Sequence, residues 1–595
     1  RQMCIRDRHI QYTGESVFIG EGAGANDDLD LNRNTFVGHE SGNATTWGSG
    51  NSAFGHSSLL YNTTGYANTA LGHRTLQDNI DGDFNVAVGA DAMMENESGY
   101  RNVAVGAAAL LASDGSKRNV AVGDLSMANH MNGERNTAVG YRTLMVDSAG
   151  RGNVAIGSKA MHLSEGINYC VAIGDSALYN NTDNGYGGSW GSANVAIGSK
   201  SMHTNTTGYL NTAVGYNTLM ENTTGILNVA MGGYALSNSV HGLANTALGC
   251  YSLENNYSGD DNTAGGYYSL NENVDGEENT AFGSHSLSDN ISGDENAAFG
   301  YRALNDNTTG LGNTAVGALA LRYSTSGSNN SAFGRETLYS NTTGHANVAV
   351  GHHALHDNST GYENIAIGSH ALASNTTGYT NIAIGRVALA SCTTSYANLA
   401  IGDYALNAHS YGAFNVAIGD QANEYGTSSF NTVALGYNTN ITASDQVRIG
   451  NSSITSIGGY TNWTNVSDGR FKTNVSENVN GLDFITALRP VTYNLDLKAI
   501  ESWFPEKDTA TWETKYAKEN IRYSGFIAQE VEEAARELGY DFSGVDAPKN
   551  EGDFYGLRYA EFVVPLVKAV QELSAKVEEQ QALIQALQKR AGDYK

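Results

Sequence analysis

Proline is missing from the first 489 residues of this 595-residue chain; Pro490, Pro505, Pro548 and Pro565 all come later. Lysine is nearly as scarce there, with only Lys117, Lys159 and Lys200 before residue 444. So sharp a change in usage marks two architectures rather than one. Cysteine is sparse too. Cys4, Cys170, Cys250 and Cys392 form no C-x-x-C pair and no dense framework, which excludes a disulfide scaffold. No run of about 18 apolar residues exists, and that excludes a membrane-spanning helix. Basic residues number 34 against 61 acidic ones, a net charge of −27. A nucleic-acid backbone is therefore excluded as a partner, because it needs basic contacts. No secretion signal is recognisable at the start, and residues 1–9 fit neither a signal nor a repeat. Residues 1–15 are read as a leader outside the fold.

The first 450 residues are dominated by a repeat. A consensus N-[TV]-A-[VIF]-G ends at Gly38, Gly55, Gly72, Gly89 and onward in steps of 17 to Gly174. After one seven-residue insertion it resumes at Gly198 and runs to Gly436. With a degenerate first copy ending at Gly20 there are 25 copies, the signature of a solenoid whose units bury themselves only by stacking. Each N-V-A-V-G reads as one short strand that puts Val86 and Val88 on one side and Ala87 on the other. The β-branched side is expected to be the buried one. Four residues after most of these glycines stands a leucine or methionine (Leu76, Met93, Leu110), predicted to form an apolar ladder along a second wall. A turn comes next, often N-T-T-G as at Asn222–Gly225, where asparagine and glycine suit positive φ. The missing proline agrees, since every strand needs its N–H. At about 4.8 Å per rung the shaft would be on the order of 120 Å long. A rung so small encloses little volume, so parallel chains are expected to wrap together as a trimer. The predicted fold is an all-β solenoid, a β-roll or β-helix, over 16–450, a linker over 451–466, and a small α+β domain with a C-terminal helix.

The array resembles the head repeats of trimeric bacterial adhesins, whose S-V-A-I-G-type strands build a parallel β-roll. The resemblance implies a surface-displayed binding shaft. Within the array, the insertion containing Tyr186 and Trp190 is where the period breaks, and it is the candidate ligand-binding loop: a tryptophan on a glycine-rich bulge suits stacking on a sugar ring. The plainer reading packs that tryptophan back on the shaft. Asp27-Asp28, Asp81/Asp83 and Asp260-Asp261 lack the ordered spacing of a calcium loop and read as solvated turns. His352-His353 read as solvent-facing. No metal site and no cofactor are expected.

The chemistry lies where the array stops, in Ser467-Asp468-Gly469-Arg470-Phe471-Lys472. A serine hydroxyl is a poor nucleophile until a base takes its proton, and a desolvated lysine can serve. Ser467 attacking the carbonyl of its own residue moves that acyl group from the Asp468 nitrogen to the Ser467 oxygen as a strained cyclic ester; water then opens the ester, and the chain is cut between Ser467 and Asp468. S-x-x-x-x-K alone is a weak pattern. It is joined, in order, by G-L-D-F-I-T-A-L-R-P-V-T-Y (481–493), Y-S-G-F-I-A-Q-E-V (523–531) and L-R-Y-A-E-F-V-V-P-L-V-K-A-V-Q-E-L (557–573). Together these resemble the intramolecular chaperone auto-processing domain of phage tailspikes, tail fibres and endosialidases. That family also occurs in membrane-bound eukaryotic transcription factors. The resemblance implies a domain over 467–565 that trimerises, guides folding of the upstream fibre and cuts itself off. It makes Ser467 the nucleophile, Lys472 the base and Asp468 the start of the released fragment. Residues 497–520 read as a family-variable insertion.

Over 566–590, Val570, Val577 and Ile584 alternate with Leu566, Leu573, Gln580 and Leu587 at spacings of three and four, a coiled-coil seam. The alternative is an amphipathic helix packed on its own domain. The expected whole is an extracellular homotrimeric fibre, on a phage tail or a bacterial surface, that binds a glycan or protein receptor. No barrel like the adhesins' membrane anchor is legible, which favours the phage. A fibre-borne polysaccharide-degrading enzyme is the alternative, and no paired carboxylates in a distinctive context support it. Beyond the single self-cleavage, no turnover enzyme is expected.

Overall fold

The computed structural model describes residues 10–13, 15–28, 30–182, 191–425, 428–461, 463–504 and 512–593. They fall into two compact units, 1–361 and 362–595. The first unit opens with Ile10–Thr13 antiparallel to Ser16–Ile19, so part of the segment read as a leader is paired backbone. From Ser16–Ile19 to Val348–Val350 the unit is a stack of short parallel strands, one per 17-residue rung. Register is strict. Thr69 pairs with Val86, Val86 with Val103, and across the insertion Val171 pairs with Val195. The pairing is thus unbroken across the insertion.

The structure reverses the expected facing of the strands. Ala53, Ala70, Ala87 and their equivalents are wholly buried, while the residues on either side are half-exposed. The inner space of a 17-residue rung explains this. The leucine or methionine six residues beyond each alanine is also wholly buried, as at Leu76, Met93 and Leu110. A large side chain opposite a small one fills the gap. The first two rungs show the rule by inverting it: Phe18 and Phe36 stand where the alanines are and Gly24 and Gly42 where the leucines are. A Cβ on Gly24 would lie 2.7 Å from the Phe18 ring, and one on Gly42 would lie 2.5 Å from Phe36. Volume is conserved and the identities exchanged.

The leucine row carries a backbone feature that the sequence did not suggest. Leu76, Met93 and Leu110 have φ of 52°, 52° and 50°. A left-handed L-residue costs about 1–2 kcal/mol, whereas burying a leucine or methionine contributes about 1.5–3 kcal/mol. Burial wins, helped by bonds such as Leu76 N–H to Ala92 O at 3.0 Å on the next rung. The N-T-T-G turns, expected to hold positive φ, do not. Asn222 is instead wholly buried, its Nδ2 donating to Asn205 Oδ1 at 2.6 Å and to Gly225 O at 3.3 Å. Positive φ falls on the strand-ending glycine. Gly72 sits at 143°, and a Cβ there would lie 2.5 Å from Gly89 O on the next rung.

The consensus asparagine leading each strand is a second buried ladder. Asn68 N–H donates to Asn51 Oδ1 at 2.9 Å, and Asn68 Nδ2 donates to Gly82 O at 2.8 Å; Asn85 repeats both. Cys170 takes this slot in its rung, its N–H donating to Asn153 Oδ1 at 3.0 Å, and burial pushes its thiol up to about 12.

The second unit continues the same rung from Ile365–Ile367 to Val447–Ile449. It then carries α1 (Leu482–Ala487), α2 (Leu497–Ser502), α3 (Ala528–Glu537) and the 30-residue α4 (Val563–Gly592). Strand Val491–Tyr493 pairs antiparallel with Tyr523–Gly525, and Val545–Asp546 with Gly556–Leu557. The architecture is the expected solenoid, then a small α+β region and a long C-terminal helix. The α+β core is Phe484, Val531, Ala534, Ala535, Phe542 and Phe562. Three of these, Phe484, Val531 and Phe562, come one each from the three motifs C-terminal to the hexapeptide.

Candidate functional site

The hexapeptide forms one short turn. Gly469–Phe471 is a single turn of 3-10 helix, and Asp468 caps it by accepting the Arg470 N–H at 2.9 Å. The Arg470 guanidinium also pairs with Asp468 at 2.6 Å and holds its carboxyl below the usual carboxylate range. Phe471 N–H donates to Asp468 O at 3.1 Å and Lys472 N–H to Gly469 O at 3.3 Å. This closure folds the chain back so that residues five apart meet. Lys472 Nζ donates to Ser467 Oγ at 2.8 Å. The spacing read from the sequence is therefore a geometric pair. The Ser467–Asp468 peptide bond lies at the start of the same turn.

The turn is not enclosed. Ser467 and Lys472 are exposed, as are Trp463, Val466, Phe471 and Val475 around them, the last three at 74–87%. A lysine takes a proton readily at neutral pH only where burial disfavours its charge. In one chain the dyad has its distance but not its dry surroundings.

The same incompleteness runs along α4. Pro565 and Ala569 face the domain core, and Glu572 reaches α1, accepting the Leu482 N–H at 2.7 Å. The heptad row faces away. Val570 is 65% exposed, Leu573 50%, Ile584 52% and Leu587 55%. The alternative in which the seam packs on its own domain does not describe this helix. Its opening turns are held by Pro565 and Ala569, and the seam stands clear of them.

Sequence reasoning missed what the region 497–520 does. Its described residues Trp512 and Lys515, together with the loop 549–553, lie against the last rungs of their own unit. Thr442 Oγ1 donates to Asp553, Asn550 Nδ2 donates to Thr442 O at 2.9 Å, and Ser453 Oγ donates to Lys515 O at 2.8 Å. Tyr437 meets Trp512 edge to face at 5.9 Å, and the Arg448 guanidinium lies 4.5 Å from the centre of the Phe554 ring. The only sequence signal was the tryptophan and charge content that made the segment look variable. Tyr186 and Trp190, the candidate ligand-binding pair, lie outside the described residues.

Among the described residues no helix is long and apolar enough to cross a membrane. No curated protein matches the chain, and no solved structure does. Residues 467–540 match the family model described as chaperone of endosialidase, and the first matched residue is Ser467 itself.

Proposed function

We propose that this chain is one of three identical strands of an extracellular fibre, assembled and then trimmed by its own C-terminal domain. The observation that carries the reading is the 2.8 Å Lys472–Ser467 contact at the first residue of the chaperone-of-endosialidase match. Two unpartnered apolar surfaces support the trimer. One is the α4 seam. The other runs down the strands, where the last strand residue of many rungs is apolar and exposed, as at Phe54, Leu71, Met231, Phe282 and Phe333 at 41–49% in the first unit. Contiguous exposed apolar surface of this kind marks an interface. Three copies of one chain present it to one another in register.

Assembly then supplies what the dyad lacks. Packing three helices brings apolar residues such as Phe471 and Val466 together and strips water from Lys472. The neutral amine takes the Ser467 hydroxyl proton, and Oγ bonds to the Ser467 carbonyl carbon. The C–N bond to Asp468 breaks, and the proton passes to the departing Asp468 amine. Water opens the resulting four-membered lactone at its carbonyl, restoring the Ser467 hydroxyl and leaving its carboxylate as the new C-terminus. Cutting is thereby tied to correct assembly. The shaft that remains is a repetitive surface for binding a glycan or protein receptor, on a phage tail or a bacterial surface.

Mass spectrometry of the expressed protein tests this. The wild type should give one fragment ending at Ser467 and one beginning at Asp468. Ser467→Ala should stay full length and still trimerise, because the exposed hydroxyl meets Lys472 and packs in no core. Lys472→Ala should slow cutting by about 10²–10⁴-fold, the usual worth of a positioned base. An intact wild-type trimer, or normal cutting in Ser467→Ala, would sink the reading.

A further inference from the structure

Outside the dyad, the described residues of the first unit gather three metal-binding side chains on the shaft surface, at Glu336, His353 and His356. One ligand atom from each lies within 4.8 Å of the others. The arrangement follows from the rung. Glu336 and His353 are 17 residues apart and so occupy the same place on successive rungs. Their φ values, 54° and 57°, are both left-handed, which sends the two side chains out in the same direction. The His353 N–H donates to Arg335 O at 3.2 Å and fixes the spacing of the two rungs. His356 is three residues on, in the same turn, with its ring centre 4.7 Å from that of His353.

The electronic state of each group is also set. Glu336 Oε2 is 2.5 Å from His353 Nε2, and Arg335 holds the other oxygen at 2.7 Å, so one carboxylate oxygen is aimed at the imidazole. His356 Nδ1 lies 2.6 Å from Asp357 Oδ1. A carboxylate accepts there, so Nδ1 carries the proton and the lone pair sits on Nε2. A carboxylate partner of this kind is what orients most metal-bound histidines. Tyr339 stacks on His356 at 5.0 Å and restrains that ring. Side-chain exposures of 15% for Glu336, 27% for His353 and 26% for His356 leave the cluster sheltered but open on one side.

We propose that Glu336, His353 and His356 bind a first-row divalent transition-metal ion such as Zn2+, with the fourth position open to water or to an oxygen donor of a bound molecule. Two imidazoles and one carboxylate are the donor set of open tetrahedral zinc sites, and they suit neighbouring ions such as Co2+. Metal ligands must be unprotonated, so binding should release protons and weaken on acidification.

The test is titration of the purified full-length protein with ZnCl2 by calorimetry, and with CoCl2 by visible absorption. One ion per chain is expected, with an intense tetrahedral Co2+ spectrum. His353→Ala and His356→Ala should each weaken binding by about tenfold or more, and Asp357→Asn by a comparable or smaller factor. Glu336→Gln keeps the shape of the rung and should also weaken it, guarding against loss of fold in the alanine variants. His241→Ala, an exposed shaft histidine distant in sequence, should leave binding unchanged. No ion bound per chain, or binding and a Co2+ spectrum that are the same in the wild type and in Glu336→Gln with His353→Ala, would overturn the proposal.

Discussion

In the rung built around Ala230 and Leu236 both side chains are wholly buried by the chain's own neighbouring rungs. Along α4 the heptad residues Val570, Leu573 and Ile584 are half or more exposed. The rung is complete but unspecific: its alanines, leucines and asparagines find equivalent partners one rung up or down. The C-terminal region is specific but incomplete, with a mixed core of its own and an apolar seam that no described residue of the single chain covers. Alignment has to come from the region that has only one way to fit, and bulk from the region that repeats.

The strongest way to break that division is to remove the specifying half. Deleting residues 468–595 from the gene should leave the array misfolded or aggregated, whereas losing them by cleavage after assembly should not. Rungs this similar slip by 17 residues with little loss of contact, so register is weakly specified. Pairing between separate chains is slow because distant segments must meet first. Once formed, the shaft should be held by its unfolding barrier and no longer need the proposed clamp. Light scattering and thermal inactivation of both products check this. A truncated array that folds into soluble trimers as heat-resistant as the processed protein would end the comparison.

A matched pair of substitutions sharpens it. Leu236→Ala leaves a cavity in a closed rung and should cost about 2–5 kcal/mol, independent of protein concentration. Leu573→Ala removes a side chain that is 50% exposed in one chain, so its cost should appear as weaker assembly that grows on dilution. Melting each variant across a concentration series separates the two. If both costs behaved alike, the seam would not be an interface.

The period, the strands, the leucine ladder, the α+β region, the long helix and the Ser467–Lys472 pair were legible in the sequence, because each is local or periodic. The facing of Ala87 was not. Alternation separates Val86 and Val88 from Ala87 but does not say which side points inward, and hydrophobicity alone chooses the valines. Only the width of the rung decides, and the width appears when Met93 is placed opposite Ala87. The asparagine ladders were equally hidden, since Asn68 looks like any polar residue before a strand until Asn51 and Gly82 are beside it. The contacts of Asp553 with residue 442 span more than a hundred positions and leave no local trace.

Two of the ladder positions that depart from asparagine should show it in pH. His130 and Asp147 fill the slot held by Asn62, Asn79 and Asn96, and both are wholly buried. Burial pushes the Asp147 carboxyl up to about 6 and the His130 imidazole down to about 4. Asp147 is raised above its ordinary 3.8, so its contribution is full below that value and is lost as pH rises through 6. Asp147→Asn should therefore stabilise the shaft by about 3 kcal/mol at pH 7, a gain that fades toward pH 4. His130 has the opposite sign: its contribution is present above 6.5 and lost as pH falls toward 4, so His130→Asn should blunt acid sensitivity in that window. Melting curves from pH 4 to 8 read both. An Asp147→Asn curve parallel to the wild type throughout would remove the account of the ladder as a neutral, hydrogen-bonded row.

The smallest expected effect lies where the two kinds of structure touch within the second unit. Asp553 is nearly buried, receives the Thr442 hydroxyl, and lies 3.7 Å from Arg448. Burial pushes its carboxyl up. The Thr442 hydroxyl, the Lys549 and Phe554 amides and Arg448 outweigh that, and the net value lies below the ordinary 3.8. A depressed carboxylate contributes above its unfolded value and is lost as pH falls through the folded one, so this contact should hold at neutral pH and fail only below about pH 4. Asp553→Ala leaves Thr442 without its acceptor and Arg448 without its counter-charge, at a cost of about 1–3 kcal/mol. The loss should be local, because the rungs are closed without this contact. Hydrogen exchange of a peptide spanning residues 437–450 should speed up in the variant, while exchange at the rung of Ala230 stays as it was. Faster exchange at both places would mean that the repeat is not self-sufficient and leans on the C-terminal region throughout its length. Unchanged exchange at 437–450 would mean that the last rung closes itself as the others do.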